Sequence, residues 1–392
     1  MSSNSRQSAK TRRSLDVGQT QPKSLGQSCG WRPLKPRSSL EPRFWSTAAF
    51  TSCKKATRLW RVVPRGFSMA SKPVQAQIVG VRLEAPDTIS LELRPGKDTQ
   101  GFSAVEAGAH LDLHLGNGLI RSYSLINPGD TERYVVAVKK DASSRGGSVF
   151  VHDNLRVGQY IEIGVPRNHF ALDESAEHTV LVAGGIGITP IYAMLQRLQA
   201  LGKSAHIIYC ARSKAEAAFF EQVEKLVATC PSRLTATYHF SDEQQATPNL
   251  ASLLSAHHPG AHYYCCGPTS MLDAFERTCE ELGYVNVHLE RFGGATVKPS
   301  TGEQSGYTAI LKKSGIQLEV QPGKSLLDTI LEAGVNAEYS CKEGVCGACE
   351  ARVISGEVDH HDFVLSKQEQ ATNRSIMICV SGCKSDCLVL DL

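Results

Sequence analysis

Cys341-Lys342-Glu343-Gly344-Val345-Cys346-Gly347-Ala348-Cys349 decides the reading of this 392-residue chain. Three cysteines stand in the spacing C-x4-C-x2-C, and Cys379 follows downstream. That spacing is the ligand pattern of a plant-type [2Fe–2S] cluster, in which four thiolates hold two irons. The small residues Gly344, Gly347 and Ala348 let the backbone close around inorganic sulfide and donate N–H bonds to it, which helps set the potential. The competing chemistry is zinc, which favours two short C-x2-C-type pairs, and a second such pair is missing. No C-x-H pair follows Cys346 or Cys349, so a His-ligated cluster is not encoded on this chain. Cys383 and Cys387 are expected to be bystander thiols, and His360-His361 a solvated loop rather than a ligand pair.

Outward from the cluster loop, residues 308–312 and 317–320 read as a hairpin turning at Ser314-Gly315. Ser325-Leu326-Leu327-Asp328 opens a capped helix, Gly334 stops it, and residues 387–392 form a terminal strand. Residues 306–392 are therefore expected to be an α+β, β-grasp-like ferredoxin domain. Residues 293–305, rich in Gly, Ser, Thr and Pro, read as a linker.

Before the linker, strands alternate with helices. Residues 179–183, 206–210, 235–240, 262–266 and 285–289 read as strands, and 216–228 and 270–282 as helices. This alternation implies a parallel sheet over residues 176–292. Gly184, Gly185 and Gly187 follow the first strand, and Ile188, Thr189 and Pro190 lead into a helix, with Thr189 as N-cap and Pro190 at its first position. Glycines there let a pyrophosphate approach the backbone while the helix N-terminus stabilises its charge. Cys266, Gly267 and Pro268 end a later strand of the same sheet, and the carboxyl ends of neighbouring strands form the crevice for a nicotinamide nucleotide. The pattern is not G-x-G-x-x-G, so the dinucleotide fingerprint is not met literally.

Residues 74–175 read as all-β, about six short strands punctuated by Pro95-Gly96, Asn117-Gly118 and Asn127-Pro128-Gly129, which suggests a small antiparallel barrel. Arg121, Ser122, Tyr123 and Ser124 close one of its strands. An arginine pairs a phosphate, a tyrosine packs on a flat ring and a serine hydrogen-bonds the ring edge, as a flavin requires. Val138 and Lys139 lie downstream, and Gly146, Gly147 and Ser148 precede a helix whose N-terminus is suited to a phosphate.

Composition divides the chain at the same boundary as the motifs. Residues 1–70 hold 14 basic and two acidic residues and all three tryptophans, whereas the remainder holds 28 basic and 37 acidic residues, a net of −9. The leader is Arg- and Ser-rich and lacks any apolar run long enough for a signal peptide or a membrane span. It is expected to be disordered, and to be either a transit peptide or sequence upstream of a start at Met69. No nucleic-acid partner and no membrane insertion are expected. Thirteen cysteines, an odd count that includes the adjacent Cys265-Cys266, suit a reducing compartment rather than a secreted disulfide scaffold.

In this order, the motifs resemble the ferredoxin–NAD(P) reductase superfamily, and more closely its phthalate dioxygenase reductase and vanillate O-demethylase reductase group. The resemblance covers about residues 74–392 and rests above all on the C-terminal placement of the cluster. It implies a multidomain protein: a flavin barrel, a nucleotide domain and a plant-type ferredoxin domain. It implies FMN, held by Arg121, Tyr123 and Ser124 with Gly146, Gly147 and Ser148 on the phosphate, and NAD(P)H facing residues 184–190 and 266–268. Phe292, in Glu290-Arg291-Phe292, matches the aromatic residue that covers the flavin ring. The implied activity is NAD(P)H-dependent electron transfer to a terminal oxygenase component of the Rieske type, by a monomeric reductase in the cytoplasm, or in an organelle if the leader is a targeting peptide. The alternatives are a reductase of quinones or other small acceptors, and an electron-carrier or interaction protein. NADH is the family's usual donor, and NADPH stays open because Arg212-Ser213-Lys214 offers no carboxylate to an adenosine ribose. No acid–base pair or nucleophile is expected, because the cofactors carry the chemistry.

Overall fold

The computed structural model describes residues 73–97, 99, 101–141, 145–255, 260–293 and 306–392. The leader and residues 294–305 of the expected linker lie outside them. The described residues belong to one unit, Gly66–Leu392, built on three main sheets.

The first sheet contains β1 (Val74–Ala85), β2 (Thr88–Pro95), β3 (His110–His114), β4 (Ile120–Ser124), β5 (Tyr134–Lys139) and β6 (Tyr160–Ile163), with helix α1 (Gly147–Asn154) before β6. All its pairings are antiparallel, in the order β4-β3-β6-β1-β2-β5. Leu125 bridges Val136, which brings the two edge strands together as a barrel. Alternation points Leu91 and Leu93, then Leu111 and Leu113, into one core where each is fully buried. Each contributes about 1.5–3 kcal/mol by leaving water.

The second sheet is parallel, in the order β11-β10-β7-β8-β9. Its elements are β7 (His178–Gly184), α2 (Ile188–Ala200), β8 (Ser204–Ala211), α3 (Phe220–Thr229), β9 (Leu234–Phe240), the short α4 (Ser241–Gln244) and α5 (Leu250–Leu253), β10 (His262–Cys266), α6 (Thr269–Glu281) and β11 (Val287–Glu290). Both faces are covered, so β7 reads as a continuous apolar run rather than an alternating one. Two expectations shift here. The helix expected from residue 216 begins at Phe220, because Phe219 sits in the left-handed region at φ 60° and breaks the turn. Helix α2 begins at Ile188, so Thr189 is already inside its first turn and bonds the Ile186 carbonyl at 3.0 Å, and Pro190 is its third residue rather than its first.

The third sheet has the order β13-β12-β18-β14-β16. It comprises β12 (Tyr307–Leu311), β13 (Ile316–Val320), β14 (Glu350–Ser355), β16 (Ser375–Met377) and β18 (Cys387–Leu390). The small pair β15 (Val358–Asp359) and β17 (Gly382–Cys383) lies beside it, with helices α7 (Leu326–Glu332) and α8 (Lys367–Thr372). The terminal strand runs parallel to β12, and α7 lays Leu326, Leu327 and Ile330 on the core. Ser325 caps α7, its Oγ accepting the Asp328 N–H at 3.0 Å.

Candidate functional site

The cluster loop runs between α7 and β14. Its turns need left-handed backbone at Lys342, Gly344 and Gly347, with φ of 57°, 71° and 70°. A Cβ on Gly344 would come within 2.6 Å of Val380 Cγ2, and one on Gly347 within 2.3 Å of His169 Nε2. Glycine is thus required by conformation and by space at both. The loop and the following strands gather four buried thiols as two pairs. The Cys341 N–H reaches Cys346 Sγ at 3.5 Å, and Cys349 Sγ lies 3.1 Å from Cys379 Sγ. Bonding between the partners holds Cys341 down at about 6, and the Glu343 N–H adds a bond to its sulfur. Cys379 is likewise held low by Cys349, while Cys346 and Cys349 are raised as the partners that keep their protons. Among the described residues no three Cys, His, Asp or Glu side chains converge as one metal ion would need. Two thiol pairs, one within the glycine-bearing loop and one between its end and the turn after β16, fit a cluster of two irons, one pair to each.

The loop faces the barrel across a cleft lined by Arg121, Ser122, Ser124, Glu290, Phe292, Cys341 and Cys346, among others. The end of β4, the end of β11 and two of the four thiols therefore meet at one place. Among the buried polar atoms in its walls, Ser124 Oγ and Glu290 Oε2 have no hydrogen-bond partner within the described residues. Burial alone lifts the Glu290 carboxyl to about 8. Orphan polar atoms beside an exposed Phe292 are what a flat ring with a polar edge would satisfy. At the far end, Arg121 lies against the start of α1: a Cβ on Gly147 would come within 2.7 Å of Arg121 Cγ and Nε. Gly146, at φ 92°, offers no side chain to cap α1, and the first turn carries no acidic residue. A phosphate fits that N-terminus and the guanidinium together. Ser148 Oγ accepts the Asp141 N–H at 3.1 Å. Val138 is in the barrel core, and Lys139 pairs with Asp87 at 3.3 Å. Tyr123 is half-buried against the barrel core, and burial pushes its hydroxyl up to about 12.

On the nucleotide side, β7 and β10 are parallel neighbours and their following loops touch. A Cβ on Gly187 would stand 2.1 Å from the Cys266 carbonyl oxygen, one on Gly184 2.5 Å from Met271 Sδ, and one on Gly267 3.1 Å from Gly184 Cα. The glycines thus bring the two loops into backbone contact at the carboxyl edge of the sheet, where ligands of such folds bind. Gly185, at φ 54°, turns the chain into α2 with open space beside it. Cys265 and Cys266 are fully buried, and burial drives both thiols well up, so neither is a nucleophile.

Several residues have surroundings that the sequence does not give. His360 is not solvated: its side chain is 10% exposed, with Nδ1 3.3 Å from buried Asp362, while His361 Nε2 pairs Asp359 at 2.8 Å. Cys383 turns its thiol to the Ser385 carbonyl at 3.0 Å. Arg212 is not an isolated cation, since it pairs with Glu216 at 3.5 Å, which places a carboxylate near the end of β8 that the linear reading passed over. Lys214 Nζ lies 4.5 Å over the Phe220 ring. The residue missed altogether is Asp112, a buried carboxylate on β3. Burial would raise its pKa, but the Arg167 guanidinium and the hydrogen bonds from Ser122, Arg167 and Ser340 outweigh burial and hold it below the usual carboxylate range.

Comparison with known proteins agrees with this geometry. A family model described as a 2Fe-2S iron-sulfur cluster binding domain matches residues 309–384. One described as the N-terminal domain of a dimethylamine monooxygenase subunit DmmA-like matches residues 164–288. Phenoxybenzoate dioxygenase subunit beta of Ectopseudomonas oleovorans is 44% identical over 82% of this chain and 98% of its own length. Tetrachlorobenzoquinone reductase of Sphingobium chlorophenolicum is 42% identical over 79% and 94%. Vanillate O-demethylase oxidoreductase of a Pseudomonas strain is 40% identical over 81% and 100%. The solved structure of phthalate dioxygenase reductase superposes with a TM-score of 0.58 at 35% identity, covering 82% of this chain and 98% of that one. An intact type IV self-sufficient cytochrome P450 monooxygenase matches with a TM-score of 0.74 at 34% identity, but this chain spans only 41% of it. The chain belongs to the phthalate dioxygenase reductase and vanillate O-demethylase reductase group: it is an NAD(P)H-dependent oxidoreductase, the reductase component of an oxygenase system, with FMN and a [2Fe–2S] cluster as its cofactors.

Proposed function

We propose that residues 74–175, 176–292 and 306–392 are three functional modules, and that their meeting point is the electron-transfer site. The observation that carries this reading is the cleft in which the end of β4, Phe292, Cys341 and Cys346 share one wall. Cys341 with Cys346, and Cys349 with Cys379, would each hold one iron. Arg121 and the N-terminus of α1 would hold the FMN phosphate, with Ser124 and Glu290 at the edge of the ring and Phe292 over it. Gly184, Gly185, Gly187, Ile188, Thr189, Pro190 and Cys266, Gly267, Pro268 would face the nucleotide. When bound, FMN supplies the ability to take a hydride whole and give electrons away singly, which joins a two-electron donor to a one-electron cluster. The chain's own residues would position the groups and leave no acid–base step to a side chain.

NADH is the donor we expect, since Glu216 beside Arg212 puts a carboxylate near the end of β8, which disfavours a 2′-phosphate there. A partner of the Rieske type is supported by the dioxygenases and the O-demethylase named in several relatives, and a monomeric reductase by a cleft whose lining comes from this one chain. Among the described residues no helix is long and apolar enough to cross a membrane, and the eleven described cysteines are free thiols, which suits a reducing cytoplasm.

A visible spectrum with flavin and iron analysis tests the core of this. We expect one FMN and two irons per chain, and Cys379→Ser should lose the iron while keeping the flavin. A preparation with flavin but no iron, or with no flavin at all, would overturn the assignment. The relative named for quinone reduction supports a second reading, direct transfer to a quinone. Under that reading Cys379→Ser keeps full quinone turnover; under the first it loses transfer to oxygenase and to cytochrome c alike.

A further inference from the structure

Asp112 accepts hydrogen bonds from three segments far apart in sequence. Its Oδ1 takes the Ser122 hydroxyl at 2.6 Å and the Ser340 hydroxyl at 3.0 Å, and its Oδ2 takes Arg167 Nη2 at 2.7 Å. Ser122 lies within the flavin motif. Ser340 immediately precedes the cluster thiol Cys341, and the two hydroxyls are themselves 3.4 Å apart. Arg167 belongs to the connection from the barrel to the nucleotide sheet.

The carboxylate has little freedom to move. The Gly164 N–H bonds the Asp112 carbonyl at 2.9 Å, and His110 and Arg167 exchange both backbone bonds at 2.9 Å. The strand that carries Asp112 and the segment that carries Arg167 are thus stitched together. Only 7% of the Asp112 side chain is exposed, so its charge is neutralised by these partners and not by water. With one end of the network fixed in the barrel, the Ser340 hydroxyl has to come to Asp112. The Arg145–Glu343 ion pair and the packing of Gly347 on His169 hold the same loop from its other side.

We infer that Asp112 is a positioning residue for electron transfer: through Ser122 on one side and Ser340 on the other, it sets the placement of the cluster loop relative to the flavin motif. It touches neither the reacting atoms nor a proposed ligand sulfur. A carboxylate does this better than an amide or hydroxyl, because it accepts from both serines and from arginine at once and donates to none. The inference rests on the proposed flavin and cluster sites.

The test is Ser340→Ala in the full chain, with Asp112→Asn beside it, loaded with FMN and iron. Anaerobic stopped-flow with NADH follows flavin bleaching and cluster bleaching separately, and steady-state assays compare ferricyanide, reduced at the flavin, with cytochrome c, reduced through the cluster. For Ser340→Ala we expect FMN content, iron content, flavin reduction and ferricyanide turnover within twofold of the parent. Cluster reduction and cytochrome c turnover should fall on the order of tenfold, the scale of a misplacement of about 1 Å or less. Unchanged cluster reduction in Ser340→Ala would overturn the inference, as would loss of iron and flavin reduction together, which marks a merely structural role. If Asp112→Asn fails to fold, Ser340→Ala decides alone. A parent chain that binds no flavin or iron would refute the site assignment itself, an outcome distinguishable from either of these.

Discussion

At the scale of single residues, two glycines two places apart should respond to alanine for different reasons. Gly187 has an ordinary φ of −59° but no room, since its Cβ would stand 2.1 Å from the Cys266 carbonyl. Gly185 has room but sits at φ 54°. Gly187→Ala must push the β7 and β10 loops apart, at about 1–3 kcal/mol or more of overpacking, and should raise the KM for NAD(P)H while dithionite still reduces the cofactors. Gly185→Ala should cost about 1–2 kcal/mol of backbone strain and leave the contact between the two loops in place, so that its rise in KM is the smaller of the two. Thermal melts and steady-state kinetics separate the two. Glu290 supplies a pH prediction. Its carboxyl, at about 8 in the folded protein against 4.5 ordinarily, keeps its proton where the unfolded chain has released one. Folded stability therefore falls as pH rises from about 4.5 to 8. Glu290→Gln, neutral throughout, should melt several degrees above the parent at pH 8 and gain little at pH 5 in the flavin-free protein. The cysteines of the loop were legible in the sequence because a ligand spacing is local. Asp112 was not, because its partners Arg167 and Ser340 lie 55 and 228 positions away and a lone Asp in an alternating strand reads as a solvent-facing residue.

At the scale of elements, the strands and helices were legible where period and punctuation agreed, and their ends shifted where backbone geometry intervened. Thr189-Pro190 carries the local signature of a helix start, yet α2 begins earlier because the glycine turn before it already winds helically as a 3-10 turn over Gly185–Gly187. Phe219 gave no warning of its left-handed backbone, which its neighbours Ala217, Ala218 and Phe220 hold by burying that turn in the core. Helix α1 is the element on which flavin binding turns. Its N-terminus has no capping side chain and no acidic residue in the first turn, and Arg121 lies beside it. A phosphate there gains from the helix dipole and from a charge-assisted bond, the latter about 1.5–3 kcal/mol. Arg121→Ala should therefore weaken FMN by roughly ten- to a hundredfold, measured by quenching of flavin fluorescence on titration into apoprotein. Riboflavin, which lacks the phosphate, should bind parent and variant alike; if riboflavin weakens equally, Arg121 serves the barrel rather than the phosphate.

At the scale of the molecule, the order of modules and the division into a basic leader and an acidic remainder could be read directly, because both are properties of runs of sequence. The way the modules meet could not, because it depends on Ser340, Arg145 and Glu343 finding partners across sheets. The charge division leads to a prediction about the partner. Residues 71–392 carry a net of −9, and the cluster-bearing stretch 306–392 alone holds 8 basic and 12 acidic residues. The cluster must deliver its electrons to another protein, and a surface of this sign speeds encounter with a basic patch and repels an acidic one. Raising ionic strength from about 0.01 M to 0.15 M shortens the Debye length from about 30 Å to 8 Å. The second-order rate of oxygenase reduction, followed by stopped-flow with pre-reduced reductase, should then fall on the order of tenfold. Flavin reduction by NAD(P)H, which occurs inside the chain's own cleft, should change much less. A partner rate indifferent to salt would mean that docking rests instead on apolar contact, for which Tyr339 and Phe363, 38% and 42% exposed near the cluster loop, are the available surface. Tyr339→Ser with Phe363→Ser should then slow the partner step while the salt profile stays flat, whereas under electrostatic docking the same pair of changes leaves the low-salt rate within about twofold.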